Sequence, residues 1–201
     1  MSYNPITTRF NNLLPIIVDV ETGGINCNTD ALLEAAAVCI NHNQEQGFYY
    51  DTNIWHEHIE PFPGSKCHPE ALEFNKIIPN HPLRFAITEE AAITSLAKQT
   101  KIWLKQHSCK KAVLVGHNAH FDLNFLMQAV ARTKTARFPF HSFTCFDTAT
   151  LGGLFYQKTV LAQIIRAAKI KFDISQAHGA LYDATKTAEL FCHMLNSFDK
   201  T

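Results

Sequence analysis

Ile16-Ile17-Val18-Asp19-Val20-Glu21 is the stretch that decides the fold prediction. Its four apolar positions are all Ile or Val, which favour a buried β-strand. Asp19 and Glu21 are two residues apart, and such positions point to the same face of a strand. Neighbouring carboxylates repel in a low dielectric, so the pair predicts a bound cation, and oxygen ligands without sulfur favour Mg²⁺ or Mn²⁺. The alternative is that Glu21 already lies in a solvated turn over 21–24.

Length and composition predict a single domain over residues 1–201, with a short flexible N-terminus at about 1–8. The chain has 201 residues, 46% of them hydrophobic, which is enough to bury a full core. Its apolar runs are too short for a membrane span, and the N-terminus lacks the pattern of a signal peptide. The six cysteines form no C-x-x-C pair, which argues against a structural zinc site. We therefore expect reduced thiols and a cytoplasmic protein.

The charges balance, with 18 basic and 18 acidic residues, so net charge does not indicate a nucleic-acid-binding protein. The basic residues nevertheless cluster over 98–111, 132–137 and 166–171. A locally basic face is compatible with phosphate binding. Solvated lysines on helix surfaces are the more common explanation for any one cluster.

The order of elements predicts an α/β domain with a five-stranded mixed sheet flanked by helices. The first three predicted strands follow one another directly and predict an antiparallel meander, although the alanines of the second also allow a helix. The predicted strands are 16–21, 34–40, 48–59, 112–115 and 143–146. The predicted helices are 69–74, 88–107, 121–131, 148–154, 159–168 and 180–197.

Two further acids follow predicted turns. Asp122 falls in the first turn of a helix, where the helix dipole favours an anion, and a simple capping role is the alternative. His178 precedes Asp183 by five residues, which is about 500° on a helix, so the two would not share a helical face. Gly179 permits a turn that leaves His178 in a loop and Asp183 in the first helical turn. For His178 the alternative is an ordinary solvent-facing or hydrogen-bonded histidine.

Together these motifs resemble the DEDD-type 3′→5′ exonucleases, in the branch whose fifth residue is histidine. The matching segments are Asp19-Val20-Glu21-Thr22, 117–122 and 178–183, in the family's order and spacing. The resemblance extends to the ribonuclease T family over nearly the whole chain. The segments that carry it are 29–34, 60–62, 69–75, 139–148 and 176–183. It implies a ribonuclease-H-like fold and 3′→5′ trimming of tRNA and other stable RNAs, with single-stranded DNA 3′ ends as further substrates.

The expected mechanism is two-metal hydrolysis of a phosphodiester. We expect His178, as a neutral imidazole, to take a proton from the attacking water. Asp19 is the best candidate to contact both ions, since it lies deepest in the central strand. Two Mg²⁺, for which Mn²⁺ could substitute, are assigned to Asp19, Glu21, Asp122 and Asp183.

The resemblance also assigns residues that recognise the RNA end. Phe74, Phe121 and Phe143 are expected to stack on terminal bases, and Glu70 to contact a base edge. Core packing is the alternative role for each phenylalanine. Ile25 stands where the family usually has an aromatic residue, which predicts a weaker grip on the last nucleotide.

The family acts as a homodimer in which a basic patch of one subunit serves the active site of the other. The absence of a basic residue at Asn11 suggests that the patch is thinner here. The candidates for this patch are Arg9, Lys105, Lys110, Lys111 and Lys134.

Other functions remain open at this stage. A proofreading DNA exonuclease or an oligoribonuclease would share the acidic set, and a binding module without catalysis would be expected to lack one of the acids. His56 and His58 alternate on a predicted strand and could belong to a different metal site. The sequence offers no third ligand for them, so a surface strand is the simpler interpretation.

Overall fold

A mixed β-sheet forms the centre of the computed structural model, which describes residues 5–199. Its strands are β1 Leu13–Thr22, β2 Leu32–Asn43, β3 Gly47–Tyr50, β4 Trp55–His58, β5 Lys111–Gly116 and β6 Phe140–Asp147. The order is β3-β2-β1-β5-β6, and β4 also pairs with β2. Strand β1 runs antiparallel to β2 and parallel to β5, which is parallel to β6.

The predicted third strand, 48–59, is two strands in the structure. Strand β3 pairs with the end of β2, where Ile40 faces Tyr50, and β4 pairs with its start, where Ala36 faces His56. Between them the chain leaves the sheet in a turn in which the Asn53 amide donates to Asp51 Oδ1. The predicted meander and mixed sheet are confirmed, but the described residues form six strands rather than five.

Helices are present at all six predicted positions, and α1 is an additional one. Within residues 5–199 the α-helices are α1 Pro5–Arg9, α2 Pro69–Asn75, α3 Glu89–Gln106, α4 His120–Arg132, α5 Thr148–Tyr156, α6 Leu161–Ala167 and α7 Ala180–Phe198. Helix α1 occupies much of the segment predicted to be flexible, and its Ile6 is buried in the core. Residues 1–4 lie outside the described part of the chain.

The core fills the space between the sheet and the helices. Trp103 of α3, Phe125 of α4 and Phe140 of β6 are among the largest fully buried side chains. Alanines 35–37 of β2 are also buried, on a strand against which α7 packs. In the described residues, no helix has both the length and the apolar character to cross a bilayer.

The topology places chain segments that are distant in sequence at one edge of the sheet. Because β1 and β5 are parallel, with Ile17 beside Val115, their carboxyl ends lie side by side. The end of β1 carries Asp19 and Glu21, and β5 leads through residues 117–119 into α4.

Candidate active site

Four carboxylates from three elements meet at this edge. Asp19 and Glu21 lie on β1 and Asp183 lies in the first turn of α7. One carboxylate oxygen from each of these three residues lies within 4.8 Å of the other two. Asp122, in the first turn of α4, is buried and its Oδ1 accepts a 3.0 Å hydrogen bond from the Val20 amide. The structure therefore brings together the acids that the sequence motifs single out.

The loop before α7 places His178 at the rim of this cluster. Its amide donates to Asp183 Oδ2 at 3.0 Å, and its ring centroid lies 4.1 Å from that of Phe74. The predicted turn is present, but the left-handed residue is His178 itself, with φ of 69°, rather than Gly179, with φ of −135°. A left-handed non-glycine residue costs on the order of 1 kcal/mol, which the hydrogen bond to Asp183 helps to offset.

Burial raises the pKa of every carboxylate in the cluster, and repulsion from the other members adds to the rise for Asp19 and Glu21. Burial, followed by the charges of Asp122, Glu21 and Asp183, raises the pKa of Asp19 well above its usual value. Burial is also the main cause for Glu21 and Asp122, whose pKa values rise to about 8. Burial raises the pKa of Asp183 as well, although the His178 amide and the charge of that histidine oppose the rise. A cation would remove this repulsion.

The cluster also contains an unsatisfied acceptor. Asp183 Oδ1 is buried and has no hydrogen-bond partner among the described residues. A buried carboxylate oxygen without a partner is costly unless an ion or a donor reaches it. Together with the all-oxygen donor set, this atom shows that the residues fit hard divalent cations such as Mg²⁺.

Glu34 is a fifth acid that the motif analysis did not include. It lies opposite Glu21 in the β1–β2 register, and its charge contributes to the raised pKa values of Glu21 and Asp183. The sequence does contain a signal, since Glu34 is the single charged residue in the otherwise apolar run 31–40. The same reasoning that selected Asp19 could have selected it.

The acids line the floor of a cleft of about 1070 Å³. Glu70 and Phe74, one turn apart on α2, lie on one side of it, with Ile25 and Phe121 also in the lining. Ile25 and Phe74 are 89% and 62% exposed, so both present apolar surface to the cleft. Phe121 is only partly exposed, because its ring packs 4.9 Å from that of the core residue Phe125.

Helix α2 is fixed to β1 by Asn75, which sequence reasoning also missed. This buried side chain donates from Nδ2 to the Thr22 carbonyl oxygen at 3.0 Å. Because Asn75 follows Phe74 directly, the contact sets the position of Phe74 relative to the carboxylates.

Phe143 is the predicted stacking residue that the structure does not bring to the cleft. It lies on β6 with 79% of its surface exposed, and its ring contacts that of His141 at 4.5 Å. It is absent from the described residues that line the cleft. The alternative of core packing does not apply to it either.

The predicted basic residues lie at the opposite end of the sheet from the cleft. Lys111 begins β5 and Lys110 directly precedes it, and the Lys110 amide donates to the carbonyl of Asn12 just before β1. Lys134 follows the C-terminal end of α4, whose N-terminal end carries Asp122. Strand β5 and helix α4 are each roughly 20 Å long, so these residues do not reach the cleft of their own chain.

The two remaining members of this set have different surroundings. Lys105 lies in the last turn of α3, which ends just before β5. Arg9 forms a salt bridge with Asp199 and also lies over the ring of Phe48. Part of its charge is therefore neutralised within the chain.

Comparisons with known proteins agree with this geometry. The family model RNase_T, an exonuclease, matches residues 16–191. A protein of Histophilus somni (strain 129Pt) named ribonuclease T is 46% identical over 200 residues, covering 100% of this chain and 91% of that protein.

Solved structures show the same fold at lower identity. E. coli exonuclease I in complex with a dT13 oligonucleotide is similar at a TM-score of 0.68 and 16% identity, over 94% of this chain and 43% of that one. A full-length 3′-exonuclease gives a TM-score of 0.71 at 17% identity, over 92% of this chain and 61% of that one. The chain thus spans less than two thirds of either structure, and it shares with them the ribonuclease-H-like fold. From the family match and the full-length similarity, the chain belongs to the RNase T exonuclease family and is a hydrolytic 3′→5′ exonuclease.

Proposed function

We propose that the chain is an exoribonuclease that trims the 3′ ends of tRNA and other stable RNAs in the cytoplasm, and that it also degrades single-stranded DNA from the 3′ end. The observation that carries the proposal is the convergence of Asp19, Glu21, Asp122 and Asp183 in a cleft with an exposed aromatic wall. The full-length similarity to a ribonuclease T supports RNA as the main substrate.

In this proposal the four carboxylates hold two Mg²⁺ ions, and Mn²⁺ substitutes for them. The ions supply neutralisation of the phosphate charge and activation of the attacking water. The orphaned Oδ1 of Asp183 and the raised pKa values of Glu21 and Asp122 support this assignment. Asp19 would be the central ligand of these ions, because the charges of Asp122, Glu21 and Asp183 all raise its pKa.

His178 is proposed as the general base. It stands at the rim of the cleft, and its amide is bonded to the carboxylate of Asp183. The ring takes the proton of the attacking water when it is neutral. The contact between His178 and Phe74 supports a second role, in which substrate binding positions the histidine. A nucleobase that stacks on Phe74 or displaces it would also fix or move the His178 ring.

Recognition of the RNA end is assigned to the exposed wall of the cleft. Phe74 and Phe121 stack on unpaired bases, each contact contributing roughly 1–3 kcal/mol. Glu70 accepts hydrogen bonds from a base edge. Ile25 packs against the last nucleotide without offering a π-face, so terminal bases are held less tightly than by an aromatic residue. Phe143 and the basic residues are remote from this cleft and need another chain to take part.

The distance of the basic residues from their own cleft supports a homodimer. In this arrangement Arg9, Lys105, Lys110, Lys111 and Lys134 of one subunit bind the RNA backbone beside the active site of the other.

Labelled oligonucleotides test the activity. Single-stranded RNA labelled at the 3′ end should release labelled mononucleotides at once in the presence of Mg²⁺, whereas 5′-labelled RNA should shorten one nucleotide at a time. A tRNA with a frayed 3′ end should be trimmed faster than single-stranded DNA. Faster cleavage of DNA would favour a proofreading-type exonuclease, and activity confined to very short RNAs would favour an oligoribonuclease. Binding without cleavage would contradict the proposal.

Subunit complementation tests the dimer. Asp183→Asn removes the catalytic site of a subunit, and Lys110→Glu with Lys111→Glu removes part of its basic patch. Each variant alone should cleave structured RNA poorly. Mixed subunits should recover activity, because a heterodimer combines one intact site with one intact patch. Failure to recover activity, or full activity in a monomer, would exclude the two-subunit arrangement.

A further inference from the structure

A second cluster of ligand atoms lies between β2 and β4, beside the carboxylates of the cleft. His58 faces Glu34 directly in the β2–β4 register, and His56 lies two residues before it on the same face. One ligand atom from each of the three residues lies within 4.8 Å of the other two. The sequence offered only the two histidines, and pairing with β2 supplies the third ligand.

The distances in this cluster leave one nitrogen unsatisfied. His56 Nε2 lies 2.8 Å from Glu34 Oε1, whereas His58 Nδ1 lies 3.8 Å from Glu34 Oε2. The longer distance exceeds that of a hydrogen bond, and His58 Nδ1 is buried without a hydrogen-bond partner among the described residues. Two atoms that bind one tetrahedral zinc ion lie roughly 3.4 Å apart, since each is about 2.0–2.1 Å from the metal. The spacing of His58 and Glu34 is therefore closer to that of two ligands of one ion than to a hydrogen bond.

The surroundings favour a cation with nitrogen ligands. Glu34 is only 7% exposed, so its charge needs a partner. The nearby guanidinium of Arg84 donates to the carbonyl oxygens of Leu33 and Ile59, at 2.6 and 3.4 Å. Its charge opposes a bound cation, but its hydrogen bonds go to the backbone.

An ion can also reach this cluster from solvent. Glu34 and His58 line a second cavity of about 420 Å³, together with His178 and Gly179 of the loop before α7. The cavity leaves room for water as a further ligand.

We propose that Glu34, His56 and His58 bind one Zn²⁺ ion at a site distinct from the carboxylate site on Asp19 and Asp183. Two imidazoles and one carboxylate with an open fourth position form a donor set that zinc prefers and Mg²⁺ does not. The ion replaces the hydrogen bond between His56 and Glu34 and fixes β4 to β2. The proposal does not depend on the nuclease assignment.

Zinc binding is measured in a chain whose catalytic carboxylates cannot compete. The Asp19→Asn/Asp183→Asn variant is dialysed against Zn²⁺ with excess Mg²⁺, and retained zinc is measured by atomic emission. We expect one zinc per chain, lost when His58→Gln or His56→Gln is added and kept with His193→Gln. His193 is an exposed histidine on α7 and serves as the matched control. No retained zinc, or equal retention in the His58→Gln and His193→Gln chains, would overturn the proposal.

Two measurements guard against loss of zinc through misfolding. Circular dichroism without metal should be the same for the His58→Gln chain and its parent, while Zn²⁺ should raise the melting temperature of the parent alone. Co²⁺ in the parent, whose histidines are intact, should give the intense visible absorption of a four-coordinate ion. The weak absorption of a six-coordinate ion would contradict the proposed site. This test needs no histidine substitution, so misfolding of a variant cannot affect it.

Discussion

The carboxylate cluster predicts an unusual pH dependence of stability in the metal-free chain. The pKa of Glu21 rises from 4.5 in the unfolded chain to about 8 in the folded one, because of burial and of the charges of Glu34, Asp183 and Asp122. The folded state therefore binds more protons than the unfolded state within this window. Stability should decrease as the pH rises from 4.5 to about 8, which is opposite to the behaviour of a carboxylate held in a salt bridge.

The size of this loss of stability follows from the pKa shift of Glu21. At ~1.4 kcal/mol per pKa unit, the whole shift of Glu21 corresponds to at most ~5 kcal/mol. Solvent reaches this carboxylate through the cleft and screens part of the repulsion, so we expect a loss of ~2–3 kcal/mol. For a chain of this size the loss corresponds to a decrease in melting temperature of roughly 4–12 °C. Bound Mg²⁺ should restore this stability, and most strongly at the alkaline end, where the carboxylates are ionised.

Urea denaturation across this pH range, with EDTA or with Mg²⁺, measures the effect. The Glu21→Gln variant should reduce the slope in EDTA, although Asp19 and Asp122 keep raised pKa values, and it should be more stable than the native chain near pH 8. Glu45→Gln removes an exposed carboxylate and should leave the slope unchanged. The reasoning is refuted if stability in EDTA is constant or increases over the window, or if Mg²⁺ stabilises the chain equally at both ends.

Three further predictions concern single side chains. Asp183→Asn should reduce the rate of 3′ cleavage by about 10³-fold or more, because a loss of ~4 kcal/mol of transition-state stabilisation by metal corresponds to a thousandfold lower rate. The circular dichroism spectrum of the variant should remain that of the native chain. Ile25→Phe should change the rates of nucleotide release from oligomers ending in CC and in A by different factors. An identical ratio of the two rates in the native and variant chains would exclude a role for Ile25 in recognising the terminal base. Phe125→Ala should cost ~3–5 kcal/mol in urea denaturation, because it leaves a cavity in the core, and a loss below ~1 kcal/mol would contradict its burial.

His178 gives an independent test of the general base. With Mg²⁺ saturating, His178→Ala should lose most of the cleavage rate, because no imidazole is left to take the proton of the attacking water. His193→Ala is the control. A cleavage rate in His178→Ala equal to that of the native chain would remove His178 from this role.

Much of the fold could be predicted because the signals are local. The run 13–22 contains enough β-branched residues to specify a strand, and Thr88 caps α3 through a hydrogen bond from the Ala91 amide. The predicted helices and strands accordingly appear within a few residues of their expected bounds. The predicted third strand was the exception, because it is two strands, β3 and β4, that pair with different parts of β2. Hydrophobic periodicity does not show where pairing with one part of β2 ends and pairing with another begins.

Tertiary structure decided how the predicted site residues meet and which of them stay apart. Asp19, Asp122 and Asp183 are far apart in sequence, and their convergence depends on parallel pairing of β1 with β5 and on packing of α7. In the folded chain Phe143 of β6 and the basic residues lie away from the cleft.

The sequence by itself determined the order of elements, the family and the set of acids, because hydrophobic periodicity and motif spacing are written along the chain. The pairing of Glu34 with His58, the left-handed backbone of His178 and the separation of basic patch from cleft were decided only by the folded structure. The physical reason is that strand register, loop geometry and electrostatic coupling arise from contacts between residues distant in sequence. A buried carboxylate acquires its raised pKa from the neighbours that folding brings to it, and those neighbours are not visible in its own segment.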